Sequence, residues 1–483
     1  MAGARGDVMV QGEAERLVEE IRVFGIEEIG LKAWTKQHQV IEKLNMQAQI
    51  SVMNQSDEYV VEALIDHEKI STLIHCLIVC EVWKDTVLVK VQQDLASSHY
   101  VKLYLIMYHE AVILGLLEKA FYHSSAVSMA GDSLIELSDY CYRKTVYLNS
   151  FHSDTEEESP KRDQILNMKD IERLEEQKKK IDFSCAISAL TVLRFIVENA
   201  ETVPISVLSR LLTEQDIMQT LIPLLDDAPW TRKKDKVIEK YEDGKWIEVS
   251  QDDLHRISKT EAQVWLTLNC LLLHPECRRK YEWTENRKSL VMKLSKYFNE
   301  LLIDQLPILS EMRRLVETLA FSAPNSGTEP RSVVIEQIPE LRDKIMRVNR
   351  SITCSDCMTG CGQSDFKAIA AMFKSKMQNE SPEDQKAEMS ELAAMYDMLN
   401  VEDFMEDPKC AVCGAPAEKR CSKCKMEWYC GRKCQVAAWK KHKPFCEMIS
   451  GLADERKGSE GAPCTSNEDS AQKNSYHQIE ILD

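Results

Sequence analysis

The chain has 483 residues, with 61 Lys+Arg against 78 Asp+Glu for a formal charge of −17, 44% hydrophobic residues, and only 16 Gly and 14 Pro. That length allows two to four domains, and the apolar share excludes a wholly disordered chain. The scarcity of Gly and Pro argues against a turn-rich all-β architecture, and the acidic balance argues against a general nucleic-acid binder.

In chain order, the first 20 residues turn acidic after ten and hold no apolar signal-peptide core. Residues 1–150 read as an N-terminal helical domain. A helix is expected over Glu13–Ile29 (Leu17, Ile21, Val23, Phe24, Ile26), and another apolar pattern runs over Ala63–Trp83. Leu103–Phe121 is apolar almost all round, as in a helix buried between neighbours. The greasiest stretch, Val101–Leu117, still contains Lys102, His109 and Glu110, so no stable membrane insertion is expected. Residues 151–163 (HSDTEEESPKRD and its flank) read as an acidic linker. Residues 164–322 form a second helical block: a charged helix over Gln164–Lys180, then short helices over Ala186–Val197, Ile205–Leu212 and Ile217–Leu225 with tight breaks between them. Successive short helices of this kind point to an armadillo/HEAT-like helical solenoid, although no repeat consensus emerges.

One β element interrupts the helices. Residues 236–249 alternate apolar and polar on both sides of Asp243-Gly244, which predicts a β-hairpin projecting from the helical body. Helices are expected again over Glu261–His274, Ser289–Ile303 and Ile308–Phe321. Residues 323–400 read as connecting helices, with a Cys-containing insertion at 351–363 (Cys354, Cys357, Cys361) and a helix from Pro382, capped by Ser381, to Leu399. Residues 451–483 are polar and rich in Gly, Ser and Glu, a tail expected to be disordered. The fold class is therefore mainly α, with a small C-terminal module at 405–446.

That module holds seven of the 17 cysteines: Cys410-x2-Cys413-x7-Cys421-x2-Cys424-x5-Cys430-x3-Cys434-x7-His442-x3-Cys446. Eight ligands in four pairs suffice for two four-coordinate zinc ions. C-x2-C lets two thiolates from one turn reach one metal, and the x3 steps place both ligands on one helix face. Such density with an interleaved His reads as metal binding in a reducing compartment, not as disulfides. Cys76/Cys80 and Cys270/Cys277, in apolar helical runs, read as core thiols. The cluster Cys354/Cys357/Cys361 lacks a nearby fourth ligand, there being no His between His274 and His442.

With Arg420-Cys-Ser-Lys-Cys424, Glu427-Trp-Tyr-Cys430 and the Gln435, Trp439, His442 and Cys446 positions, the module resembles a MYND zinc finger at all eight ligands. The resemblance implies interleaved ligation, with Cys410, Cys413, Cys430 and Cys434 on one structural zinc and Cys421, Cys424, His442 and Cys446 on the other. It also implies a groove for proline-containing peptides lined by Ser422, Gln435 and Trp439. The alternative is that Trp439 packs within the module. Nine Lys/Arg against two Glu make 410–446 a basic segment on an acidic chain.

MYND fingers also accompany SET methyltransferase domains, but no His here follows an Asn, as the methyl-donor dipeptide of those domains would require. There is also no glycine-rich phosphate loop, H-E-x-x-H or G-x-S-x-G. Asp66-His67 and His109-Glu110 read as polar contacts on helix faces, so a non-enzyme is expected. Tyr108-His-Glu-Ala111, Ala228-Pro-Trp-Thr-Arg232, Asp304-Gln-Leu-Pro307 and Glu336-Gln-Ile-Pro339 are similar to the zinc finger MYND domain-containing protein 10 family across nearly the whole chain. The departures are the Cys354 insertion and the tail after Ser450. The resemblance implies a cytoplasmic adaptor or co-chaperone-type scaffold for preassembly of inner and outer axonemal dynein arms of motile cilia. It would work in assembly foci or near centriolar satellites. Implied partners are assembly factors including a leucine-rich-repeat factor, chaperones and co-chaperones, and dynein intermediate or heavy chains, with no nucleic acid. A nuclear MYND corepressor is the alternative. Basic runs outside the finger, such as Lys178–Lys180 and Arg232–Lys234, are short and flanked by acids.

Overall fold

The computed structural model describes residues 7–96, 99–151, 169–234, 237–250, 253–321, 338–348 and 365–381. Within the finger it describes 410, 412–413, 415, 417, 419–422, 428–439, 442–443 and 446. The expected linker at 152–163, the insertion at 351–363, the helix from Pro382 and the tail at 451–483 lie outside the described residues. The chain divides into two compact units, Met1–Gln385 and Lys386–Asp483.

The first unit is built from two rows of helices. In one row Lys32–Asn54, Tyr100–Phe121, Asp170–Glu198, Lys259–Leu273 and Leu309–Phe321 each pack on the next. In the other, Ile70–Trp83, Leu134–Ser150, Ile217–Asp226 and Glu285–Met292 do the same. The chain alternates between the rows, which is the arrangement of a helical solenoid. Tyr100–Phe121 has the length and apolar content of a membrane span, but most of it is buried within the protein. It is the central core helix, packed on Lys32–Asn54, Ile70–Trp83 and Asp170–Glu198.

Several boundaries differ from expectation. The first helix spans Gln11–Glu19 and stops. Beyond it Gly25 and Gly30 break the pattern, and Ile21, Phe24, Ile26 and Ile29 reach the core from irregular backbone. Ala63–Trp83 is two helices, Tyr59–Asp66 and Ile70–Trp83, parted at Glu68 with φ +53. Conversely, Asp170–Glu198 is one unbroken helix, because no Gly or Pro interrupts it. The expected hairpin is a three-stranded antiparallel sheet of β1 (Thr231–Lys234), β2 (Val237–Glu242) and β3 (Lys245–Glu248). Asp243 and Gly244 turn it with φ +49 and +81, both positive as a type I′ turn requires. The sheet does not project. Tyr241 and Trp246, paired across β2 and β3, meet the Phe183 ring at 4.9 and 5.8 Å, and Arg232 lies over Trp246 at 4.2 Å. An additional helix, Asp365–Gln378, returns to the N-terminal half and packs beside Lys84–Leu88 and Val89–Leu95.

Charge is used inside this body. Successive second-row layers are tied by an acid–arginine ladder: Arg143 grips Glu81 with two bonds of 3.0 and 2.5 Å, Arg210 takes Asp139, and Arg287 takes Asp216 at 2.6 Å. Deeper, Glu110 is wholly buried and is reached by Lys84, by Lys144 at 2.6 Å and by the Tyr140 hydroxyl at 2.7 Å; Lys84 also holds Asp182. Burial opposes ionisation of Glu110, but the two ammonium groups outweigh it and hold the carboxyl well below its ordinary range. His109, its neighbour, turns to the other side. Its Nδ1 lies 2.9 Å from Nδ1 of His38, one donating and the other accepting, beneath the Trp34 ring and with Glu42 3.7 Å from His38 Nε2. The His109-Glu110 pair is thus interior, not a helix-face contact. Cys76, Cys80 and Cys277 are core thiols and Cys270 is half-buried; burial pushes Cys76 and Cys277 up to about 12.

Two measurements follow from this interior. Glu110→Ala takes the carboxylate from buried Lys144 and leaves Lys84 with Asp182 alone, and urea unfolding should show a loss of about 3–5 kcal/mol, the cost of breaking a buried charge pair from one side. The second concerns pH. Burial lowers His38 to about 4 and, together with the charge of His38, lowers His109 well below its ordinary value. An unfolded imidazole takes its proton near 6.5. Between those values the unfolded chain binds more protons, so this contribution to stability is complete above about pH 6.5 and is lost as pH falls towards 4. His38→Gln should flatten the thermal-midpoint profile across that window.

Candidate metal centre

The second unit contains the cysteine-rich module. Two short strands, β4 (Lys419–Arg420) and β5 (Trp428–Tyr429), pair antiparallel, with Arg420 over the Trp428 ring. A helix covers 432–439. The amide of Cys410 donates to the Ala415 carbonyl at 2.7 Å, closing the turn that carries Cys413. Tyr429, Ala417, Cys421 and Cys446 are buried together as a core of a few side chains. So small a core cannot hold a fold by apolar burial alone.

The structure brings the Cys410, Cys413, Cys430 and Cys434 sulfurs within 4.8 Å of one another. Cys413 and Cys430 are 3.4 Å apart, Cys430 and Cys434 3.6 Å, and Cys434 and Cys413 3.9 Å. Four thiolates tetrahedral about zinc at about 2.3 Å would stand about 3.8 Å apart, so this donor set fits zinc. Desolvation raises the Cys410 thiol, but the amides of Cys430, Cys413 and Val412 outweigh it and bring it down to about 6. Hydrogen bonds to Cys413, Cys410 and Cys434 push Cys430 up to about 12. Such a set shares protons among its sulfurs until a cation displaces them.

Cys421, His442 and Cys446 form a second group, all buried, with the two sulfurs 3.7 Å apart. Cys424 lies outside the described residues. The groups interleave along the chain: C-x2-C and C-x3-C ligands meet across β5, while Cys421 meets ligands 21 and 25 residues later. Trp439, on the 432–439 helix, is 42% exposed, its ring 6.0 Å from His442. One turn earlier on the same helix, Gln435 is half-buried, and Val436 is exposed, as is Ser422 before β5. Sequence reasoning passed over Val436 and Val412, exposed apolar residues that widen the apolar surface of the module; single valines carry no pattern from which exposure could be read.

One unit thus carries two Cys/His groups suited to metal, and the other is a two-row helical solenoid. The MYND finger family matches residues 410–446. The zinc finger MYND domain-containing protein 10 homolog of Drosophila melanogaster is 30% identical over 454 residues, covering 89% of this chain and 96% of its own length. The chain therefore belongs to the zinc finger MYND domain-containing protein 10 family. Shorter likenesses join it to ubiquitin C-terminal hydrolase 15 of Oryza sativa subsp. japonica (42% over 60 residues, 12% of this chain and 6% of that protein). A histone-lysine N-methyltransferase of Arabidopsis thaliana is 41% identical over 39 residues, 8% of each chain. No solved structure matches.

Metal should be required for the finger and not for the solenoid. Cys434→Ala or chelation should lower the zinc content of the full chain and melt the second unit, leaving the helical circular dichroism signal of Met1–Gln385 nearly intact. Loss of the whole helical signal on chelation would refute this.

Proposed function

We propose that this protein is a non-catalytic cytoplasmic adaptor in the preassembly of axonemal inner and outer dynein arms, its finger held by two structural zinc ions and binding partner peptides. The observation that carries the adaptor reading is the Cys410/Cys413/Cys430/Cys434 set: four protein thiolates would fill the coordination of one zinc ion and leave no position for substrate or water. The dynein-arm role rests on family membership along 89% of the chain. When bound, zinc would supply folding free energy to the small module. The chain's own residues would then do the recognition. Trp439 would offer an aromatic face, Gln435 and Ser422 would supply polar contacts to an extended backbone, and the basic surface would favour acidic segments. The proposed partners are assembly factors including a leucine-rich-repeat factor, chaperones and co-chaperones, and dynein intermediate or heavy chains. The proposed site of action is the cytoplasm, in assembly foci or near centriolar satellites.

Proximity labelling in ciliating cells tests the reading: dynein chains and chaperones are the expected products, and recovery of nuclear deacetylase complexes instead would overturn it. Trp439→Ala, with two zinc equivalents retained, should weaken the main partner by about 2 kcal/mol, as for a buried aromatic anchor. Gln435→Ala should cost about 1 kcal/mol, the net contribution of one neutral hydrogen bond. Zinc loss in Trp439→Ala would make that residue core and remove the groove.

A further inference from the structure

The helix Asp365–Gln378 contacts the rest of its unit along one face: Ala370, Phe373 and Met377, at i, i+3 and i+7, are buried and Phe366 and Ile369 pack half-buried beside them, while Lys367, Ala368, Ala371, Ser375, Lys376 and Gln378 are exposed. The Phe373 ring enters a pocket shaped for it. Trp83 meets it edge-on, with ring centroids 5.3 Å apart. Gly30, at φ +77, forms another wall, where a Cβ would come within 2.8 Å of Phe373 Cε2 and 2.7 Å of Ile106 Cδ1. At the rim Lys374 pairs with Asp94, Glu380 accepts from Lys102 at 3.1 Å, and the His99 ring meets the Met377 carbonyl at 3.1 Å. The helix lies beside Lys84–Leu88, a π-helical turn, a distortion that recurs at functional sites.

An aromatic anchor in a fitted pocket, apolar neighbours at helical spacing and a rim of complementary charges are the marks of a helix-in-groove interface. Here both sides belong to one chain, with 278 residues between Lys102 and Glu380. We propose that this groove is a docking site for partner helices and that Asp365–Gln378 is its built-in competitor. The partner is an amphipathic helix with a small residue, an aromatic residue and a Met or Leu at i, i+3 and i+7, a basic residue beside the aromatic one and an acidic residue past its C-terminal end. Tethering gives the resident helix a high effective concentration, so the groove opens only to a partner that competes.

A labelled peptide of residues 365–381 is the probe, offered to the full chain. Phe373→Ala in the chain empties the pocket of its own anchor. It should raise peptide affinity at least tenfold over the wild type, with hydrogen-exchange protection appearing at 84–106. The same peptide carrying Phe373→Ala should lose that affinity. If the Phe373→Ala chain fails to fold, the rim reversal Lys374→Glu with Glu380→Lys loosens the helix without touching the pocket and should raise peptide affinity several-fold. Equal peptide affinity for the wild type and the folded variant overturns the proposal, the helix then being an integral part of the core. Concentration-dependent dimerisation of the wild type with the same protection pattern gives the groove to a second copy and overturns the partner reading.

Discussion

A single buried carboxylate joins the two rows of the solenoid. Glu110 leaves the central first-row helix and gathers Lys84 from the end of Ile70–Trp83 and Tyr140 and Lys144 from Leu134–Ser150, while Lys84 passes on to Asp182 on Asp170–Glu198. Four helices therefore meet through one charge network. An apolar contact between helices tolerates a slide of an ångström or a shift in register. A carboxylate with two cations does not, because any slip leaves a buried charge without its partner. Lys84 is also the first residue of the π-helical turn, and its ammonium is buried between Glu110 and Asp182. The distorted turn and the charge network thus share a residue, and the groove beneath Asp365–Gln378 is built on that turn.

How much of this was legible in the sequence depended on range. The gathering of the cysteines and His442 into groups that could hold metal was, since C-x2-C and H-x3-C are local spacings with a known meaning in zinc chemistry. Long apolar periodicities marked the helices, and Asp243-Gly244 marked its turn. The third strand was not legible, because Thr-Arg-Lys-Lys at 231–234 has no alternation and becomes a strand only by pairing with β2. Asp365–Gln378 was covered only by the general reading of 323–400 as connecting helices, without bounds of its own. His109 and Glu110 were misread for a deeper reason. Their partners stand at 38, 84, 140 and 144, and no window around residue 110 contains them. The solenoid left no consensus for a similar reason. Its layers are registered by one acid and one arginine each, 62, 71 and 71 residues apart, too far for a local motif to show.

The two units depend on different forces. The solenoid buries large apolar areas and uses ions to set register. The finger has few buried side chains, and its fold gathers two groups that could hold metal. Its two donor groups are unlike: Cys413 and Cys430 are exposed to solvent, whereas Cys421, His442 and Cys446 are all buried. Within one small module, access to the sulfurs is thus asymmetric, and Val412, next to Cys413 in the chain, is exposed as well.

The acid–arginine ladder bears on how such a chain can lengthen. Each rung joins one layer to the next and no further, so residues between rungs can vary in number without breaking any rung. The β1–β3 sheet occupies such an interval, between Asp226 on one layer and the Ser258-capped start of Lys259–Leu273. Its outer turn touches little: a side-chain carbon at Gly244 would meet nothing within 4 Å, and the Asp243–Lys259 ion pair is exposed on both sides. That turn is a natural splice site. A foreign sequence grafted there would extend outward from a sheet whose inner face stays anchored on Phe183. The solenoid would carry the passenger without changing the order or spacing of its layers.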